Sequence, residues 1–139
     1  MKKYELSLDE LPVLADEILN DFSNGVVILR GDLASGKTTL TKFLAKSLNI
    51  EDDVTSPTFS LQQCYGNKIF HYDIYNKGIE HFISLGMLEE LEKNGLHIIE
   101  WGDEKLKNIL LSAGLDLLEI DINKITENKR EYIIKSKDD

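Results

Sequence analysis

Residues 26–48 read VVILRGDLASGKTTLTKFLAKSL, and this stretch decides the fold. Val26-Val27-Ile28-Leu29 is a short run of branched and apolar residues. Such a run suits a strand covered on both faces, as in a parallel sheet flanked by helices. Gly31 to Gly36 is then a loop, and Lys37 to Leu48 a helix with Leu40, Phe43, Leu44, Ser47 and Leu48 on one stripe. Between strand and helix, Gly31-Asp32-Leu33-Ala34-Ser35-Gly36-Lys37-Thr38 fits the phosphate-loop pattern G-x-x-x-x-G-K-[ST]. Backbone N–H groups in such a loop form a nest for anionic oxygens. Gly31 and Gly36 permit the sharp turns, and the next helix aims its positive end at the same place. Lys37 supplies a point charge for the β- and γ-phosphates, and Thr39, next along the helix, is counted with residues 31–38 as nucleotide-binding. The Thr38 hydroxyl is the expected ligand for Mg²⁺, which favours oxygen and is usually shared with substrate phosphates.

Outward from this centre the pattern stays α/β. Residues 2–6 read as a strand, and Ser7-Leu8-Asp9-Glu10 has capping-box spacing before a helical stripe running from Leu11 to Phe22. Pro12 falls in that helix's first turn. Residues 59–65 and 68–72 read as two strands around Gly66-Asn67. Residues 77–94 read as helical with a break near Gly86, and Leu96–Ile99 is a second buried strand ending in Glu100. A short helix follows Asp103, then strands at 115–122 and 132–135. The expected architecture is a single domain over residues 1–139. It has a three-layer P-loop NTPase-type fold, with a mostly parallel central sheet, antiparallel edge strands and flanking helices.

A phosphate loop needs a second acidic group to hold or orient the hydrated metal. Glu100 ends a buried strand at the sheet edge where ligands bind in open α/β sheets. Asp73 ends the 68–72 strand, where it shares a face with His71 and Ile69. His71 is a candidate switch or partner residue, and Trp101 a candidate exposed contact surface near the nucleotide. The plainer readings are a helix-capping or surface acid for Glu100, a turn residue for Asp73, a structural ring for His71 and ordinary packing for Trp101.

Composition limits the partners. The formal net charge is −9. Non-specific binding to nucleic acid draws on Lys and Arg contacts to phosphate, so strong binding to RNA or DNA by this chain alone is not expected. One cysteine, Cys64, excludes an intrachain disulfide. The opening MKKYELSLDE has no apolar run behind its lysines, and no stretch is long enough to span a bilayer. The expected location is cytoplasmic, with no membrane association.

Four segments, GDLASGKTTL, TSPTFSL, HYDIY and IEWGD, resemble in order and spacing the bacterial TsaE family of tRNA threonylcarbamoyladenosine biosynthesis proteins. LGMLEEL at 85–91 is a weaker fifth. The phosphate loop is shared by very many proteins, and the other segments make the likeness specific. The resemblance implies a small ATPase with ATP and Mg²⁺ as cofactors. Its role would be to support N6-threonylcarbamoylation of adenosine in tRNAs that read codons beginning with A. It would act on the TsaB–TsaD pair, which carries the transfer chemistry, and would meet tRNA only indirectly. It also implies that Thr38 and Glu100 hold Mg²⁺ and that Asp73 helps to position metal or water. Ser56 and Thr58 would lie in a switch-like loop near the γ-phosphate, and Arg130 beside the adenine or ribose. The chain departs from the family pattern at Ala34-Ser35 (usually Gly-Ala), at Asn76 (often Arg) and at Gly102 (often Pro). If Ala34 needs a positive φ, it costs about 1 kcal/mol relative to Gly.

Two other enzyme readings fit less well. A small-molecule or nucleotide kinase usually clamps the transferring group with several arginines, and this chain has only Arg30 and Arg130. A GTPase commonly carries Asn-Lys-x-Asp, and no Asn-Lys pair here has the Asp at that offset. A nucleotide-binding scaffold without useful turnover differs from the main reading only in degree.

Overall fold

The computed structural model describes residues 1–31, 36–51, 62–74 and 78–136. Among these, seven strands form one sheet: β1 (Lys2–Ser7), β2 (Gly25–Arg30), β3 (Gln62–Tyr65), β4 (Ile69–Asp73), β5 (Leu96–Glu100), β6 (Leu117–Lys124) and β7 (Lys129–Ser136). Their spatial order is β1-β7-β6-β2-β5-β4-β3. The four central strands, β6-β2-β5-β4, are parallel, while β3 at one edge and β7 and β1 at the other pair antiparallel. The parallel core with antiparallel edges is as expected, although parallel pairings equal the antiparallel ones rather than outnumbering them.

Helices cover both faces. A 3-10 turn (Leu8–Glu10) leads into α1 (Leu11–Asp21), and α2 (Lys37–Ser47) follows β2. Leu11, Leu14 and Ile18 of α1 and Leu40 and Leu44 of α2 pack on Val27, Leu29, Ile98 and Ile120. The opposite face carries α3 (Gly78–Ser84), α4 (Met87–Glu90) and α5 (Glu104–Ser112). There Phe82, Leu91, Leu106 and Leu110 pack on Val26, Ile28, Tyr72 and Ile99. All of Val26–Leu29 is fully buried, as a strand sandwiched between two helical layers requires.

Local signals explain the element ends. At the first helix the Glu10 carboxylate accepts from both the N–H and the hydroxyl of Ser7, each at 3.0 Å. The helix expected over 77–94 divides at Gly86, which sits at φ +73 and caps α4. It also stops earlier than its sequence pattern, because 91–95 are turns leading into β5. Asn67 at φ +56 and Gly66 at φ +58 make the hairpin turn between β3 and β4.

The α3–α5 face buries a polar string that the sequence pattern does not announce. Gln62 donates to the Tyr72 hydroxyl at 3.1 Å, and Tyr72 O–H donates to His97 Nδ1 at 2.8 Å. His97 Nε2–H then donates to the Lys93 carbonyl at 2.8 Å. The His97 ring is fully buried and stacks on Phe70 with centroids 4.6 Å apart. Burial pushes the His97 pKa below its ordinary 6.5 and the Tyr72 pKa well up. Because the unfolded chain takes up this proton before the folded one, His97 should cost stability as pH falls below about 6.5. Denaturant unfolding between pH 7.5 and 5.5 should therefore show a positive slope of stability with pH that His97→Phe reduces. Equal slopes in both proteins would refute this role.

Candidate functional site

The site lies where the parallel strands end. Leu29 of β2 and Asp73 of β4 both pair in register with Glu100 of β5, so three strand ends meet in one row. Residues paired across parallel strands share a face, and alternation along each strand selects it. Ile69, Ile98 and Leu29 belong to the core under α1 and α2. His71, Asp73 and Glu100 therefore project on the side of α2, the helix that starts at Lys37.

Gly36 is the residue before α2, at φ +108. A Cβ there would meet nothing within 4 Å, so the backbone conformation alone calls for glycine. The next two residues point into the site. Lys37 is buried, its Nζ donates to the Gly31 carbonyl at 2.7 Å, and it lies 4.2 Å from the centroid of the Trp101 ring. Lys37, the first residue of α2, thus ties the helix start back to Gly31. Thr38 Oγ1 donates to Glu100 Oε2 at 3.4 Å. The same carboxylate oxygen accepts from His71 Nε2, and both side chains are buried. His71 Nδ1 has no hydrogen-bond partner among the described residues. Asp73 is half-buried beside Glu100.

Thr38 Oγ1 and the Glu100 and Asp73 carboxylates are hard oxygen donors, the type that Mg²⁺ prefers. Among the described residues no three His, Cys, Asp or Glu side chains come together to form a metal cage. This donor set fits a cation held by one or two protein oxygens and completed by phosphate and water.

Lys37, Thr38, Glu100, His71, Asp73 and Trp101, all singled out from sequence, thus converge. Gly31, Gly36 and Thr39 lie on the same loop and helix start. Arg130 sits at the start of β7, paired with Lys124 of β6 and Leu6 of β1. Its row lies at the same sheet edge as the loop, two strands from β2. Its Nη1 donates to the carbonyls of Thr126 at 2.7 Å and Lys129 at 3.1 Å, in its own hairpin turn. Asp32, Leu33, Ala34, Ser35, Ser56, Thr58 and Asn76 lie outside the described residues, as do 59–61 of the strand expected before β3.

Residues 7–132 match the family model described as "Threonylcarbamoyl adenosine biosynthesis protein TsaE". The chain belongs to the TsaE family. Among curated TsaE proteins it is 36% identical to that of Aquifex aeolicus over 133 residues, covering 89% of this chain and 87% of the relative. It is 35% identical to the Bacillus subtilis protein over 106 residues, which covers 68% of this chain. It is 41% identical to the Treponema pallidum protein over 81 residues, which covers 56% of this chain. These last two matches span 66% and 60% of the relatives' own lengths. The crystal structure of Bacillus subtilis YdiB superposes with a TM-score of 0.72 at 26% identity, covering 97% of this chain and 84% of that one. Mixed α/β architecture with a seven-stranded sheet and flanking helices is therefore shared with a solved protein. No helix among the described residues is long and apolar enough to cross a membrane.

Two features of this TsaE member escape sequence reading. Trp101 takes φ +70, a left-handed conformation rare for a bulky residue. On the opposite face of the sheet, Arg30 joins an ion network with Glu104, Glu119 and Lys107. Glu119 was the available signal for that network, since an acid inside the apolar run Leu117–Ile122 must find a cation or lose its charge.

Proposed function

We propose that this chain is a Mg-ATP-dependent P-loop ATPase that supports tRNA threonylcarbamoyladenosine formation by acting on the TsaB–TsaD pair. The observation that carries the reading is Thr38 meeting Glu100 across the sheet edge, with the preceding residue, Lys37, turned back onto the Gly31 carbonyl. A phosphate-loop threonine next to a strand-end carboxylate is the arrangement that P-loop NTPases use around their metal. Family membership supports the pathway, and the geometry of the site supports the proposed chemistry.

In this reading Lys37 leaves the Gly31 carbonyl to take up phosphate oxygens, and the N–H groups at the start of α2 face the same charge. Thr38 and Glu100 would hold Mg²⁺, which when bound neutralises charge on the β- and γ-phosphates. Glu100, paired to His71, keeps a fixed orientation, and Asp73 stands beside it to orient water. Ser56 and Thr58 would act in the switch-like segment and Arg130 near the nucleoside, following the family pattern. The protein would not itself transfer the threonylcarbamoyl group.

Turnover by the isolated chain should be slow. Of its two arginines, Arg30 is tied to Gly102, Glu104 and Glu119, and Arg130 bonds carbonyls of its own turn. With both guanidinium groups engaged within the fold, the chain is expected to supply no arginine to the γ-phosphate, and an arginine delivered in trans adds ~10³–10⁵ in rate to such hydrolases. The test is ATP turnover with Mg²⁺, alone and with the TsaB–TsaD pair from the same source. Low turnover that rises at least about tenfold with the pair is expected. Equal turnover in both conditions would overturn the partner-dependent reading.

A further inference from the structure

The turn that follows Glu100 is held in an unusual shape. Trp101 adopts φ +70, and such a conformation persists in a bulky residue only when its surroundings over-determine it. Trp101 N–H reaches the Leu29 carbonyl at 3.4 Å. The next residue is pressed onto β2, because a Cβ at Gly102 would stand 2.9 Å from Ile28 Cγ2. The Gly102 carbonyl accepts from Arg30 Nε–H at 3.2 Å.

Arg30 is itself fixed. Its Nη1 pairs with Glu119 at 2.9 Å and with Glu104 at 3.0 Å, and Glu119 also holds Lys107 at 2.6 Å. The Glu119 side chain is only 5% exposed, so this pair is largely withdrawn from water. Anchored at one end of its planar fork, the guanidinium presents Nε in a set direction. The result of the left-handed turn is that the Trp101 ring lies 4.2 Å from Lys37 Nζ.

From this geometry we propose that Arg30 is a positioning residue for Lys37: through the Gly102 carbonyl it holds Trp101 left-handed, and the indole face in turn fixes the ammonium. The proposal rests on the ATPase reading for its consequence and on the turn alone for its structure. Arg30 touches no reacting atom. Its contribution is to have Lys37 placed before nucleotide arrives, which lowers KM more than it raises kcat.

The decisive variant is Arg30→Lys. Lysine keeps the positive charge and can still pair with Glu119, but it lacks the rigid fork that reaches the Gly102 carbonyl. Trp101 is the chain's one tryptophan, so its fluorescence reports this turn without interference. Arg30→Lys is expected to unfold near the wild-type temperature, yet to show red-shifted emission and roughly twofold stronger acrylamide quenching, with KM for MgATP raised ~10-fold and kcat within about twofold. Arg30→Met should show the same spectral change, and if it does not fold the lysine variant carries the test. Wild-type emission, quenching and KM in Arg30→Lys would overturn the proposal and leave Arg30 as an ion pair only. A wild-type protein that does not bind MgATP would overturn the ATPase reading. The quenching comparison would then still decide whether Arg30 holds the turn.

Discussion

Lys37→Ala is expected to weaken MgATP binding by ~100-fold or more, the equivalent of roughly 3 kcal/mol for a charge-assisted contact to phosphate. Lys37 is buried at the first position of α2, with its ammonium held between the Gly31 carbonyl and the Trp101 ring. A charge so placed has already lost most of its water, and a triphosphate replaces a neutral carbonyl with anionic oxygens. The gain on binding is therefore large. The same substitution should disturb the fold little, because α2 is anchored by Leu40, Leu44 and Ala45, all facing the core. Titration calorimetry gives the affinity, and far-UV circular dichroism with thermal unfolding shows whether the fold persists. Retention of wild-type affinity in a folded Lys37→Ala protein would remove the phosphate-loop assignment. Loss of affinity together with loss of the fold would indicate that Lys37 holds the loop together through Gly31.

The readable part of the chain is the part where one local rule suffices. Val26–Leu29 is apolar at every position, which needs cover on both faces, and the structure supplies α1 and α2 on one side and α3 to α5 on the other. The loop pattern ahead of Lys37 and the acid ending β5 place Thr38 and Glu100 at one sheet edge by topology alone, once β2 and β5 are neighbours. His71 and Asp73 follow from the period of two along β4. Other features depend on contacts between residues far apart in sequence. That Arg30 reaches Gly102 and Glu104, more than seventy residues on, follows from the docking of α5 beside β2. The Tyr72–His97 bond depends on a register that no single strand encodes. Trp101 has the composition of a strand-end packing residue, and only its left-handed backbone reveals that it turns toward Lys37. Gly102 follows Trp101 here, and the structure gives a reason for glycine: Ile28 and Leu106 leave no room for a Cβ.

Glu100→Gln should leave MgATP binding within a few-fold of wild type and lower hydrolysis by ~10²–10³, the usual cost of removing one charge or proton acceptor from a reacting centre. The substitution keeps the side chain's size in a position that is only 3% exposed. Its amide oxygen can still accept from Thr38 Oγ1 and His71 Nε2, the two groups that meet Glu100 Oε2. The fold and the placement of Thr38 are therefore expected to survive, while the negative charge is lost. Binding is expected to be spared because Lys37 and the N–H groups at the start of α2, the groups proposed to attract phosphate, are untouched. Hydrolysis is not spared, since a neutral amide neither holds a cation strongly nor takes a proton from water. Single-turnover hydrolysis measured across a Mg²⁺ titration separates these two uses of the carboxylate. A rate restored at high Mg²⁺ assigns Glu100 to the metal, and a rate that stays low at saturating Mg²⁺ assigns it to the attacking water. Running Asp73→Asn in parallel identifies which of two carboxylates, adjacent in register on β4 and β5, bears each role. If Glu100→Gln hydrolyses ATP at the wild-type rate, Glu100 serves only as a hydrogen-bond partner of Thr38 and His71, and the acid of the site must be sought at Asp73.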